Sequence, residues 1–509
     1  MCEIVIVGGG HNALVASIYL ARAGHDVQVL ERLPHVGGAA VSARSFDGHD
    51  ARLSRYSYLV SVMPQELIDD LGLELRLLSR DTASCTPHPG GALVVETTEG
   101  PATRDSFRAL TGSDTELTAW QRFYAEVGTI AAAVAPTLLR PLPRRRDLSS
   151  VVDPTIWADL VERPIGAAIE RRFHHDLVRG VVGTDALIGT FASLHDPTLV
   201  QNRCFLYHLI GNGTGEWRVP VGGMGAVTGE LERVARDAGV SIRTDALVTD
   251  VAAHDDHVTV RGQDHDGPFR ITAEWLLSGV APYVLDLARG RRPGRKPSGS
   301  QLKVNLLLSR LPRLRSGTDP AVAFAGTFHV GESMSELEAA WQQAADGRIP
   351  EHAAGELYCH TLTDRSILGP HLAATQAQTL TYFGLHTPYD VLPDDAAADE
   401  ALARMLSALD EHLAEPIEPL ILGVERTSPR DIEGALGMPG GHIFHGDLQW
   451  PWLEDVEPAT LPADRWGVAT DHPRILVCGS GARRGGAVSG IGGHNAAHAL
   501  LDFLAAQPR

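Results

Sequence analysis

The first forty residues constrain this chain more than any other stretch. Ile4, Val5, Ile6 and Val7 form a continuous apolar run, the pattern of a strand buried on both faces. The run stops at Gly8-Gly9-Gly10-His11-Asn12-Ala13. Leu14, Ile18 and Ala21 then recur at helical spacing until Gly24, a helix stop. Val27-Gln28-Val29-Leu30 reads as a second strand, and it ends in Glu31, 23 residues after Gly8. Strand, glycine turn, helix, strand and acid in that order predict a dinucleotide site on a Rossmann-like α/β sheet. Gly8 permits the tight turn, Gly10 lets the backbone approach a pyrophosphate, and the small Ala13 lets the helix pack closely on the sheet. The helix N-terminus offers N–H groups to phosphates, and Glu31 stands where a ribose-binding acid belongs.

Gly37-Gly38-Ala39-Ala40 follows six residues past Glu31, and a second glycine turn there suits a ligand that continues along the crevice, as a flavin does. Val219-Pro220-Val221-Gly222-Gly223-Met224-Gly225 precedes a helix with Leu231, Val234 and Ala238 on its apolar face. Strands are predicted at Val240–Arg243 and Ala246–Val251. Near the C-terminus, Arg474–Gly479 reads as a buried strand, followed by the glycine-rich loop Ser480–Gly490 and a terminal helix reaching Phe503 and Leu504. A glycine-rich loop opening a helix can aim N–H groups at developing negative charge.

Composition removes several classes. The 509 residues carry a net charge of −19, which repels phosphate backbones and argues against a nucleic-acid partner. Hydrophobic residues at 44% and charged residues at 21% are globular values, and the length fits two or three domains. The cysteines, at 2, 85, 204, 359 and 478, form no CxxC pair, so neither a zinc site nor a redox disulfide is expected. The histidine pairs His174-His175 and His254/His257 lack a partner set, and no metal is expected. The N-terminal residues lack a signal-peptide pattern. The longest apolar stretch, 127–139, falls short of the ~20 residues that span a bilayer. A cytoplasmic protein is expected. Arg140-Pro141-Leu142-Pro143-Arg144-Arg145-Arg146 is a basic loop that reads either as solvated or as a peripheral contact with anionic lipid.

The chain resembles the FAD-dependent phytoene desaturase-like oxidoreductases. The resemblance rests on Gly8–Leu14, Tyr19–Gly24, Val29-Leu30-Glu31 and Gly37-Gly38-Ala39, with further touches at Gly222–Gly225, Ser193–Asp196 and Tyr207-His208. Within that superfamily it is similar to the branch holding retinol saturase and the pyridine-nucleotide-disulphide-oxidoreductase-domain-2 proteins. The resemblance implies a discontinuous FAD-binding domain of the glutathione-reductase type, at 1–75, 216–289 and 431–509. An inserted α+β substrate domain would occupy 76–215 and 290–430. It implies FAD contacts at Gly8, Gly10, His11, Asn12, Ala13, Glu31, Arg32, Gly37, Gly38 and Ala39. Further contacts would come from Val248, beside the adenine, and from Gly479, Ser480, Gly486, Val488 and Ser489 around the isoalloxazine ring. The chain departs from the family pattern at Arg483-Arg484, where relatives carry a His-Pro-type pair. Two cations there would raise the flavin potential or hold an anionic substrate, or else point to solvent.

Function then reads as hydride removal from a C–H bond of a largely apolar small substrate, with O2, a quinone or another acceptor reoxidising the flavin. Carbon–carbon desaturation, amine oxidation and flavin-dependent isomerisation stay open, as does a non-catalytic binding protein with the fold of the Rab GDP-dissociation inhibitors. Oligomeric state is not readable. Only two of the 44 basic residues are lysines, Lys296 and Lys303. Gln301, Lys303 and Asn305 alternate with Leu302, Val304 and Leu306, a strand with one polar face. In flavin amine oxidases, more distant relatives of this fold, a corresponding lysine holds a water at flavin N5. That parallel makes Lys303 a catalytic candidate beside Arg483 and Arg484.

Overall fold

The apolar run at the N-terminus becomes the strand Cys2–Val7, and its alternation decides what lies on each side. Ile4 and Ile6 join the core beneath the helices, whereas Val5 and Val7 join a second core with Leu30, Val251, Val258 and Ile475. Both faces are apolar because both are covered. The computed structural model describes residues 2–211 and 215–506, so Met1 lies outside the described residues.

Cys2–Val7 pairs in parallel with Val27–Leu30 and with the end of Gly267–Ser278. Ser241–Arg243 and Ile475–Val477 extend the parallel sheet at its two sides. Gly267–Ser278 also runs antiparallel to Val258–Asp264, which pairs antiparallel with Leu247–Ala253. The result is a seven-stranded Rossmann-like sheet with an antiparallel meander, closed by a strand from near the C-terminus. Helix His11–Arg22 ends before Gly24, which takes the left-handed φ of +95° that an L side chain rarely adopts. The helix packs against Ile491–Ala505, and a Cβ added at Gly493 would lie 1.9 Å from the Asn12 carbonyl oxygen.

A second seven-stranded sheet has the order Ile421–Thr427, Leu302–Leu308, Gln378–Gly384, Gly355–Tyr358, Thr327–Val330, Thr82–His88, Gly91–Glu96. Its pairs are antiparallel except for Thr327–Val330 with Thr82–His88. One face is apolar: Leu302, Val304 and Leu306 pack with Leu357, Leu380 and Phe328 beneath Met405 and Leu409 of helix Asp395–Asp410. On the other face one cross-strand row reads Lys303, Phe383, Glu356, His329. Cross-strand partners share a face, so the four side chains stand side by side. Helices between residues 101 and 210 complete this part of the molecule.

No helix among the described residues is long and apolar enough to cross a membrane. The basic loop carries its charge into local pairs: Arg140 meets Glu66, Arg145 meets Glu162 and Glu454, and Arg144 donates to the carbonyls of Glu454 and Glu457.

Candidate active site: a nucleotide crevice with an aromatic end

A crevice of about 480 Å³ follows the carboxyl ends of the parallel strands and continues beneath the second sheet. Its first half is built by the glycine turns. Gly8 takes φ +92°, and a Cβ there would crowd Val280. Gly10 has an ordinary φ of −68°, and a Cβ on it meets nothing within 4 Å. The space above Gly10 is therefore clear of protein, beside a helix N-terminus that no side chain caps. An FAD pyrophosphate fits that cradle by the chemistry of its N–H groups.

Glu31 lines the crevice while its Oε2 accepts from the Gly9 N–H (2.7 Å) and its Oε1 from the Leu33 N–H (2.8 Å). Each oxygen keeps a second acceptor direction, so the carboxylate both fixes the turn and can bind a ribose hydroxyl. Ala13, Arg32, Gly38, Ala39 and Val248 line the same half. Gly37 lies behind it, donating its N–H to the Gly9 carbonyl at 2.8 Å.

His11 and Asn12 line the crevice and also tie the two ends of the chain together. The His11 Nε2 lies 2.9 Å from the Ala487 carbonyl, and the Asn12 Nδ2 donates to the Gly485 carbonyl at 3.1 Å. Burial pushes His11 down to about 4, so the ring is neutral and donates through Nε2–H. From the C-terminal loop Gly479, Ser480 and Val488 reach the crevice. Gly486 and Ser489 do not line it. The Gly486 carbonyl accepts from the Tyr207 hydroxyl, and the fully buried Ser489 Oγ accepts from the Ile491 N–H.

The three expected catalytic cations are placed differently from the sequence expectation. Arg483 turns from the crevice to pair with Glu457 at 2.8 Å and to donate to the Trp452 carbonyl. Arg484 is buried rather than solvated. Its guanidinium donates to the carbonyls of Thr137, Arg140 and Trp466, and it borders a smaller neighbouring cavity that shares Phe444, His445 and Ser480 with the crevice. Two features explain this: Arg484 has a left-handed φ of +71°, and helix Ile491–Ala505 packs the loop against residues 137–140. Lys303 is 2% exposed, and its Nζ donates to the carbonyls of Ser54 (2.7 Å), Arg55 (2.9 Å) and Ser57 (3.4 Å). Burial lowers its ammonium to about 7, against the nearby Glu425 carboxylate, which favours the charged form. Lys303 thus holds the segment 54–57 from behind, while Gln301, two residues earlier on the same face, reaches the crevice.

The far half of the crevice is aromatic. Tyr58, Trp217 and Phe383 wall it, with Tyr58 and Phe383 ring centroids 4.6 Å apart and His208 stacked on Trp217 at 5.0 Å. These side chains come from four separate segments, and only His208 was marked by the sequence, within a short resemblance. Burial holds His208 neutral, at about 4. The Tyr58 hydroxyl donates to Glu356 at 2.5 Å.

A family profile described as an NAD(P)-binding Rossmann-like domain matches residues 6–65. Uncharacterized protein Rv0897c of Mycobacterium tuberculosis is 47% identical over 99% of this chain and 98% of its own length. Pyridine nucleotide-disulfide oxidoreductase domain-containing protein 2 of Rattus norvegicus is 27% identical over 99% of this chain and 94% of its own. The chain belongs to one family with the mycobacterial protein. Among solved structures, the chain shares its fold with putrescine oxidase (TM-score 0.64, 18% identity, 99% of both chains). It also matches cyclohexylamine oxidase from Brevibacterium oxydans (TM-score 0.58, 15% identity, 99% of both chains). The oxidoreductase fold therefore extends over the whole chain, beyond the short stretch that the profile matches.

Proposed function

We propose that this oxidoreductase binds FAD along the crevice and removes hydride from a C–H bond of a largely apolar small molecule seated between Tyr58, Trp217 and Phe383. The observation that carries the reading is the continuity of the glycine-turn half with the aromatic half in one crevice. Gly10, the uncapped helix N-terminus and Glu31 would hold the pyrophosphate and ribose, while Ser480 and Val488 would border the ring. FAD supplies, when bound, a two-electron acceptor for hydride. The chain's own contribution is positioning and exclusion of water by apolar walls. Among the crevice-lining side chains, Glu31 and Arg32 belong to the nucleotide half, so the aromatic half favours an uncharged substrate. Carbon–carbon desaturation is the first reading. Amine oxidation is the second, supported by the likeness of fold to putrescine and cyclohexylamine oxidases.

The test begins with colour. Purified protein should be yellow and release FAD on denaturation. Anaerobic mixing with panels of unsaturated hydrocarbons, saturated lipids and primary amines, read by flavin bleaching, then separates the two readings. Bleaching by amines alone would replace desaturation with amine oxidation, and a protein that takes up no FAD would end both.

A further inference from the structure

The polar row on the second sheet leads away from the crevice into a buried group of acids. Tyr58 lines the substrate half and donates its hydroxyl to Glu356, which is 4% exposed. His329 stands beside Glu356 on the next strand. Its Nδ1 meets the Thr86 hydroxyl at 2.8 Å, and burial holds it neutral, at about 3. Glu332, 1% exposed, has its carboxylate 3.7 Å from the His329 Nε2 and faces the Thr184 hydroxyl. Asp185 interacts electrostatically with both Glu356 and Glu332. The cation facing this group is Arg80, which is 8% exposed, stacks over Tyr358 and favours the ionised form of Glu356. Tyr358 and Glu216 in turn face Arg80. Two buried acids and the half-buried Asp185 against one arginine cannot all be ionised, so the group stores protons.

We propose that Tyr58 and Glu356 form a proton relay, which accepts the proton that a substrate loses when its hydride leaves. The inference rests on the reading under Proposed function. In a desaturation, one C–H bond breaks with its electron pair and the hydride goes to the bound flavin. The neighbouring C–H bond breaks heterolytically, and its electrons become the new carbon–carbon double bond. Its proton goes to the Tyr58 oxygen as the Tyr58 hydroxyl proton passes to the Glu356 carboxylate. The substrate loses two hydrogens, the flavin gains two electrons and one hydrogen, and Glu356 ends protonated. Tyr58 ends as it began. Hydride transfer to a flavin needs no acid–base group, so a tyrosine hydrogen-bonded to a buried carboxylate at the substrate half indicates that a proton moves as well.

Burial sets Asp185 at about 7 and raises Glu356 and Glu332 above ordinary carboxylate values. Near neutrality the group is therefore poised to take a proton when negative charge appears on the flavin. The test needs no substrate. FAD-loaded protein is photoreduced in weak buffer near pH 7, and proton uptake per flavin is counted with an indicator dye. Wild type should take up more protons per flavin than Glu356→Gln. Tyr58→Phe should also lose the excess, because the Tyr58 hydroxyl favours the ionised form of Glu356 and its loss shifts the carboxyl toward the protonated form before reduction. Glu356→Asp, which keeps a carboxyl, should retain it. FAD content of each variant reports on folding. FAD bound at full occupancy with equal uptake in all four proteins overturns the relay alone. A wild-type chain that takes up no FAD overturns the relay together with the proposed function.

Discussion

Gly10 and Gly8 show why two glycines of one turn have different effects when substituted. A side chain at Gly8 meets a left-handed backbone and Val280, whereas at Gly10 it meets only the crevice. Gly10→Val should therefore fold, losing under about 2 kcal/mol from a poorer helix N-cap, yet purify without FAD. Equilibrium dialysis alongside a melting curve checks both halves. A yellow variant would place the pyrophosphate elsewhere. Lys303 gives a pH prediction. Its folded ammonium sits at about 7 against 10.5 when unfolded, so between those values the unfolded chain binds more protons. Stability contributed at this site should rise as pH climbs from about 7 toward 10.5 and stay flat below about 7. The difference in melting temperature between wild type and Lys303→Met, followed across that range, should grow with pH. A constant difference would show that the three carbonyls keep the ammonium at its ordinary value. The polar alternation of Gln301, Lys303 and Asn305 was legible in the sequence because strand period is local. Which of the three reaches the crevice was not, since that depends on carbonyls of residues 54–57.

At the scale of elements, the glycine turn with its strands and helix was legible from adjacent residues, and so was the closing strand Ile475–Val477. The direction of Arg483 and Arg484 was not. A left-handed residue in the loop and a helix packed behind it decide where those cations go. Arg484→Gln should lose about 3 kcal/mol, the scale of a buried hydrogen bond to a charged group, and leave the flavin potential unchanged. Arg483→Gln, whose partner Glu457 is half-buried, should lose under about 1 kcal/mol. A shifted potential in Arg484→Gln would return that residue to the flavin site. The contact between helices His11–Arg22 and Ile491–Ala505 sets two effects against each other. Alanine is better than glycine in a helix by about 1 kcal/mol. A Cβ at Gly493, however, falls 1.9 Å from the Asn12 carbonyl, and backbone oxygen does not step aside. Gly493→Ala should therefore destabilise, by roughly 3 kcal/mol, and weaken FAD retention because Asn12 moves with the helix. A stabilised Gly493→Ala would show that the helices can separate at little cost.

For the whole molecule, two sheets meet across one crevice, and the segment 54–58 is held by both. Lys303 and Glu356 of the second sheet bind it from behind, and Ser57 donates to the Ala39 carbonyl beside the second glycine turn. The aromatic half escaped sequence reading for the same reason. Tyr58, His208, Trp217 and Phe383 are spread over more than 300 residues, and no local period joins them. Unfolding should be a single transition. FAD at 100 times its dissociation constant should stabilise the protein by about 2.7 kcal/mol and shift that transition as a whole. Two calorimetric peaks, with FAD moving only one, would show that the sheets melt separately.

The clamp from His11 and Asn12 to residues 485–487 has a consequence for how the protein is made. A ribosome delivers the first glycine turn hundreds of residues before the loop that completes it, at roughly 5–20 residues per second. For most of synthesis the N-terminal turn is a half-site with its histidine and its amide still in water. The crevice takes its final shape only after residues 485–487 have emerged, so loading of the proposed cofactor belongs after synthesis of that loop rather than before it.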